Sequence, residues 1–197
     1  MALGPGFFDV EEIQQLLEAS SVPFRPILIT ALHTGMRRGE ILNLRWPDVD
    51  LKNRMIVVQE SKSGRKRMIP IDDTLYNTLY SLPSRFQKGY ALPSPLNPEN
   101  RRFDVLRQWR NVIKKTELEN VRFHDLRHTF ASHLVMAGVD LVTVKELLGH
   151  ASLTMTMRYA HLAPAHRTRA IKTLDSSYQT DTKTDTVEDS GSSHHPK

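Results

Sequence analysis

The chain has 197 residues, 39% of them hydrophobic and 25% charged, and no cysteine. That is enough for one good-sized core plus a tail, and the missing cysteine excludes disulfides, thiolate metal sites and a cysteine nucleophile. The net charge of +5 hides an asymmetry: the stretch from Asp175 holds five acids and two bases, which leaves residues 1–174 at +8, a balance that favours a polyanionic partner such as nucleic acid.

The first ten residues, MALGPGFFDV, have neither the basic n-region nor the apolar h-region of a signal peptide. Residues 1–8 read as a leader of cloning origin. No apolar run reaches the ~20 residues of a membrane span, and the lack of cysteine fits the reducing, cytoplasmic location that is expected. Asp9 with Glu12 three residues on is a capping-box pattern, and Val10, Ile13, Leu16 and Leu17 supply an apolar stripe for a first helix. Residues 24–34 read as a second, buried helix stopped by Gly35. A third starts near Arg38, carries Ile41, Leu42 and Leu44, and ends before Pro47.

The texture then turns β-prone. MIVVQE (55–60) and KRMIPI (66–71) flank SKSGR as a hairpin, and a short strand near Val49 adds a third member. Residues 72–81 return to helix. The run 82–100, with four prolines, reads as a long surface loop. Helix resumes over 99–116. Leu126, Phe130 and Leu134 mark a further one at i, i+4, i+8. Asp140 caps another that runs to Gly149, Ser152 caps a short helix holding Tyr159, and 164–174 form a last helix. The polar remainder, 175–197, is expected to be disordered. The fold class is mainly α with a small three-stranded antiparallel sheet.

Five segments carry chemistry: TGMRRGE (34–40), SKSGRKR (61–67), HDLRHT (124–129), LLGH (147–150) and RYAH (158–161). Each has a plain reading of its own. Arg37 and Arg38 suit a solvated helix start. Tyr159 stands at i, i+4 from Met155, the spacing of a core tyrosine. His124 and His128 have HxxxH spacing, but the Glu of the metalloprotease pattern is missing, so no metal site is expected. SKSGRKR lacks the spaced glycines and GK[ST] ending of a nucleotide loop.

Taken in order, the five segments resemble the tyrosine recombinase (phage integrase) family across residues 9–174. The family pattern has an arginine after a Thr-Gly-hydrophobic turn with an acid three residues on, and a lysine in a β-hairpin. His-x-x-Arg follows, then a His or Trp just after Leu-Gly, and a tyrosine nine residues further. Here these are Arg37, Glu40, Lys62, His124, Arg127, His150 and Tyr159. The resemblance implies the catalytic-domain fold of that family and DNA breaking and rejoining through a 3′-phosphotyrosyl intermediate, with no cofactor. The implied partner is double-stranded DNA, with a tetramer on two DNA sites for full-length members and a monomer for the isolated domain. The family's N-terminal core-binding domain is expected to be absent here, because nothing upstream of Phe7 suffices to form one; the fragment should then bind DNA weakly and salt-sensitively.

The chemistry suits those residue types. A phosphodiester repels nucleophiles and gathers more negative charge on its way to the pentacoordinate transition state, so preorganised cationic donors are the remedy. Arg37 and Arg127 fit as phosphate clamps, because a guanidinium fork stays charged and donates in parallel. His124 and His150 add imidazole donors to the same oxygens or to Tyr159. Tyr159 is the nucleophile, its phenolate share raised by the cations and its proton accepted by a neighbouring imidazole. Lys62 is the general acid for the leaving 5′ oxygen. Glu40 buttresses the arginines or imidazoles. Arg65, Lys66 and Arg67 are candidates for contacts to DNA phosphates. Two alternatives share these residues: a type IB topoisomerase-like relaxing enzyme, and a regulator that binds DNA without cutting it.

Overall fold

In a computed structural model of the chain, Asp9 closes the expected capping box. Its carboxylate accepts from Glu12 N at 2.8 Å, and Glu12 Oε2 accepts from Asp9 N at 2.9 Å. The structure describes residues 6–59, 66–86, 89–94 and 104–163. The chain divides into two units at Pro164, and every described residue lies in the first.

Seven α-helices and three strands occur among the described residues: α1 (Val10–Ala19), α2 (Arg25–Thr34), α3 (Arg38–Asn43), β1 (Val49–Asp50), β2 (Met55–Gln59), β3 (Lys66–Pro70), α4 (Asp73–Tyr80), α5 (Val105–Ile113), α6 (Asp125–Met136) and α7 (Leu141–Leu148). The strands form one antiparallel sheet in the order β1-β2-β3, with Ile56 opposite Ile69 and Gln59 opposite Lys66. Ile56, Val58 and Ile69 turn inward, the period-two burial of a sheet with one face on the core. They join Leu16, Leu28, Ile41, Leu75 and Leu126 in the main hydrophobic core. A smaller cluster of Ala131, Val135, Val144, Leu148 and Tyr159 sits between α6, α7 and the turn beyond. At ~1.5–3 kcal/mol for each fully buried Leu or Ile, the main core carries the fold and the smaller cluster positions Tyr159. No helix among the described residues is long and apolar enough to cross a membrane.

Two glycines stop helices where they should. Gly35 ends α2 at φ +60° and Gly149 ends α7 at φ +65°, the left-handed conformation that an L side chain rarely adopts.

Four expectations need correcting. Phe8, assigned to a leader, is 2% exposed in the core; its N–H donates to Thr129 Oγ1 and its carbonyl accepts from His133 Nε2, both at 2.9 Å. The run 82–100 is not all surface, since Ala91, Leu92 and Ser94 are buried. Ala91 N donates to Leu44 O at 2.8 Å and Tyr90 bridges Arg45, which pulls this stretch onto the molecule. Helix α5 begins at Val105, capped by Asp104 accepting from Arg107 N at 3.0 Å. Ser152 makes no side-chain cap, and the segment with Tyr159 is two 3-10 turns, Leu153–Met155 and Met157–Leu162. The expected helix 164–174 and tail 175–197 lie outside the described residues.

Candidate active site

Arg127 sits on α6 and is 4% exposed. Its Nη1 donates to Gly35 O at 2.6 Å and its Nη2 to Leu148 O at 2.7 Å. Both acceptors lie at helix C-termini, where backbone carbonyls are unsatisfied and the dipole is negative. Burying a lone cation costs several kcal/mol; two bonds to a charged donor return ~1.5–3 kcal/mol each, so the position is sustainable. Burial, and then the charge of Arg37, lower its pKa to about 10. The guanidinium is still a cation at neutral pH.

Arg37 occupies the position just before α3 and is more open, with 43% of its side chain exposed. Its Nη1 donates to Glu40 Oε1 at 2.9 Å and its Nη2 to Gly149 O at 3.2 Å. The two arginines therefore hold consecutive carbonyls, Leu148 and Gly149, at the end of α7. Arg38 is exposed, so the turn geometry favours Arg37 as the inward residue. Arg37 and Gly149 also line an open cleft of about 1020 Å³ bounded by Glu40, Arg45, Val57 and Met155.

Glu40 sits between two arginines. Its Oε2 accepts from the backbone N–H of Arg37 at 2.7 Å, and both its oxygens accept from Arg67, at 3.1 and 2.7 Å. Burial works to raise the carboxyl pKa, but the bonds and charges of Arg67 and Arg37 outweigh it and hold the group below its ordinary value. Arg67, a candidate for phosphate contact by sequence, is committed elsewhere: its side chain is 9% exposed and its Nε donates to Leu147 O at 3.0 Å. It braces the carboxylate and the end of α7. Lys66 is exposed at the start of β3. Lys62 and Arg65 fall outside the described residues.

The three histidines differ. His124 is exposed at the head of α6, where the Asp125 carboxylate accepts from Arg122 N at 2.7 Å and closes the turn. Burial, and then Arg127, lower its pKa. His150 follows the Gly149 stop, with Nδ1 2.9 Å from the hydroxyl of the fully buried Thr156. Burial, with Arg127 and Arg37 behind it, lowers its pKa to about 4. The imidazole is neutral at pH 7. His128, one turn below His124 on α6, meets that ring edge-on at 5.0 Å.

Tyr159 is 5% exposed, with its hydroxyl 2.6 Å from His128 Nδ1. It packs with Val135, Val144 and Leu148, and the Arg158 guanidinium lies 5.8 Å from its ring centroid. The expectation that cations raise its phenolate share is not met in this structure. Burial raises the pKa above the ordinary 10, and Arg158 and Arg127 only partly oppose it.

Sequence reasoning weighed His128 only as a metal ligand and passed over Thr156 and the Arg67–Glu40 pair. His128 carried a signal, because i, i+4 spacing sets it on the His124 face of the helix; its partner lies 31 residues away. As chemistry, the assembly offers two fixed guanidinium groups, two neutral imidazoles and a buried phenol within one basic neighbourhood. Such a site can neutralise a phosphodiester and present an oxygen nucleophile to it.

The phage integrase family model matches residues 7–166. The integrase of Salmonella phage P22 is 32% identical over 186 residues, which cover 88% of this chain and 48% of that protein. Tyrosine recombinase XerC of Thermodesulfovibrio yellowstonii is 34% identical over 180 residues, 82% of this chain and 60% of that one. The catalytic domain of bacteriophage HP1 integrase aligns at a TM-score of 0.68 with 30% identity, covering 89% of this chain and 98% of that domain. The chain thus spans about half to three-fifths of the two full-length relatives.

Proposed function

The chain belongs to the phage integrase family, and we propose that it is a site-specific recombinase catalytic domain that breaks and rejoins double-stranded DNA through Tyr159. One observation carries the reading: Arg127 and Arg37 bond the consecutive carbonyls of Leu148 and Gly149, and the ring of Tyr159 packs in the same small cluster as Leu148. The basic balance of residues 1–174 supports a polyanionic substrate.

In this reading the scissile phosphate docks on Arg37, Arg127, His124 and His150, and Tyr159 Oη attacks phosphorus. The P–O5′ bond breaks, and the departing 5′ oxygen takes a proton from Lys62. The 3′-phosphotyrosyl ester keeps the energy of the broken bond, so rejoining needs no nucleotide cofactor. Glu40 holds Arg37 in place. Recombination then takes two DNA sites and four protomers, in the cytoplasm where the DNA is.

A suicide duplex nicked just 3′ of the cleavage position tests the proposal, because the short 5′-hydroxyl product diffuses away and traps the ester. The wild-type chain should give a covalent DNA adduct on a denaturing gel, and Tyr159→Phe should give none. An adduct that persists in Tyr159→Phe removes the nucleophile assignment. Relaxation of supercoiled DNA without a partner site would favour a topoisomerase.

A further inference from the structure

His128 is not among the residues to which the family resemblance gives a role, yet among the described residues it is the hydrogen-bond partner of the Tyr159 hydroxyl. We propose that His128 is the proton acceptor for Tyr159: Nδ1 holds the hydroxyl at rest and takes its proton as Oη attacks phosphorus, an assignment that rests on the recombinase reading.

The 2.6 Å contact between Nδ1 and Oη is short, at the strong end for a hydrogen bond involving a hydroxyl. The rings stand 6.0 Å apart and tilted by 47°, so the bond runs from the edge of one ring to the tip of the other. A phenol is a far better donor than acceptor toward an imidazole nitrogen that lacks a proton. His128 is held largely neutral: burial, followed by the charges of Arg158 and His124, lowers its pKa to about 4, while Asp125 pulls the other way and Arg122 adds to the lowering. His150 and Tyr159 are also within its electrostatic or hydrogen-bonding reach. A neutral ring with Nδ1 free and the proton on Nε2 satisfies every one of these facts.

The same numbers say when transfer occurs. Without DNA the phenol is harder to ionise than usual and the imidazole is a weak base, so the proton stays on Tyr159. A phosphodiester bound among Arg37, Arg127 and His150 brings negative charge into the site, which opposes the lowering by burial and by Arg158 and makes Nδ1 more basic. The step then balances: Oη–H breaks with its proton going to Nδ1, Oη–P forms, and P–O5′ breaks with its electron pair leaving on the 5′ oxygen. That oxygen is protonated by the general acid. Rejoining runs the sequence backwards, and His128 returns the proton to Tyr159.

The test is the pH dependence of first cleavage on the nicked suicide duplex, for the wild type and for His128→Asn. An asparagine amide oxygen can reach the position of Nδ1 and accept the hydroxyl, but it is not a base. General-base assistance is typically worth ~10²–10⁴-fold, and the variant should be slower by about that factor at pH 7. The variant must draw on phenolate formed before attack, so the ratio of wild-type to variant rates should shrink about tenfold per unit from pH 6 to 9. A ratio that stays constant with pH means His128 only positions the phenol, and overturns the proposal while leaving the nucleophile intact. A wild-type chain that forms no adduct overturns both. A second measurement needs no variant: nitrogen-15 shifts of His128 in the DNA-free chain should report the Nε2–H tautomer, and an Nδ1–H tautomer refutes the proposal.

Discussion

Arg67 holds both oxygens of Glu40 at 3.1 and 2.7 Å, across 27 residues of sequence. The same carboxylate bonds the backbone and side chain of Arg37. A residue on β3 thus sets the entry to α3, and the sheet acts on the site through one acid.

Glu40→Gln tests this link. The amide keeps the shape and can still accept one bond, but Arg67 is left nearly buried with no anion. Breaking a buried pair outright costs ~3–5 kcal/mol; with one bond retained we expect about 2 kcal/mol, or a fall of ~4–8 °C in melting temperature for a domain of this size. Adduct formation should fall further than stability alone explains, because Arg37 loses its tether. An unchanged melting curve would show that the network carries no weight.

Gly35 is the second place to press. A Cβ there would run into the Phe130 ring and lie 2.9 Å from Leu148 Cδ2, at a φ of +60°. Gly35→Ala meets both objections at once, so a loss of ~3 kcal/mol is expected. Its carbonyl anchors Arg127, so the variant should also cleave more slowly at a temperature where it is still folded. A Gly35→Ala chain with wild-type melting and cleavage would sink the packing argument.

These two residues also show what sequence could and could not carry. Gly35 and Gly149 were readable as helix stops, because a helix end needs a left-handed residue within the local chain. The Asp9–Glu12 capping box and the Ile56, Val58 alternation were local in the same way. Glu40 announced an acid near Arg37, but its bond to Arg67 belongs to tertiary packing and leaves no periodic trace. Ala91 and Leu92 were hidden for a related reason: two apolar residues among prolines have no period, and their burial depends on Leu44 and Arg45 forty-odd residues earlier. His128 lay in plain view at i, i+4 from His124. Its spacing was informative about the helix face and silent about Tyr159.

Acid should destabilise the fold from a higher pH than carboxylates alone would dictate. His128 and His150 titrate at about 4 in the folded chain against an ordinary 6.5. Between those values the unfolded chain binds protons that the folded one refuses, so stability is full above pH 6.5 and falls as pH drops toward 4. Glu40 adds to the loss lower down, its share being complete above its ordinary 4.5 and lost as pH falls through its depressed value. Urea midpoints from pH 8 to 4 should therefore decline from about 6.5 downward, and His150→Asn should flatten part of that slope. A slope unchanged in His150→Asn would place the titration elsewhere.

Lys62 lies in the chain between Gln59 and Lys66, the last paired residues of β2 and β3, and its proposed task is to protonate the 5′ oxygen. An alkoxide leaves poorly, whereas a thiolate leaves without a proton. Lys62→Ala should therefore cleave an ordinary nicked duplex at least ~100-fold more slowly than wild type, yet recover most of that loss when sulfur replaces the bridging 5′ oxygen. His128→Asn offers the contrast on the same sulfur substrate: its defect lies on the attacking oxygen, so sulfur at the leaving position should not rescue it. Rescue of both variants would mean that departure of the 5′ group limits the rate whatever the defect, and rescue of neither would take the general-acid role away from Lys62.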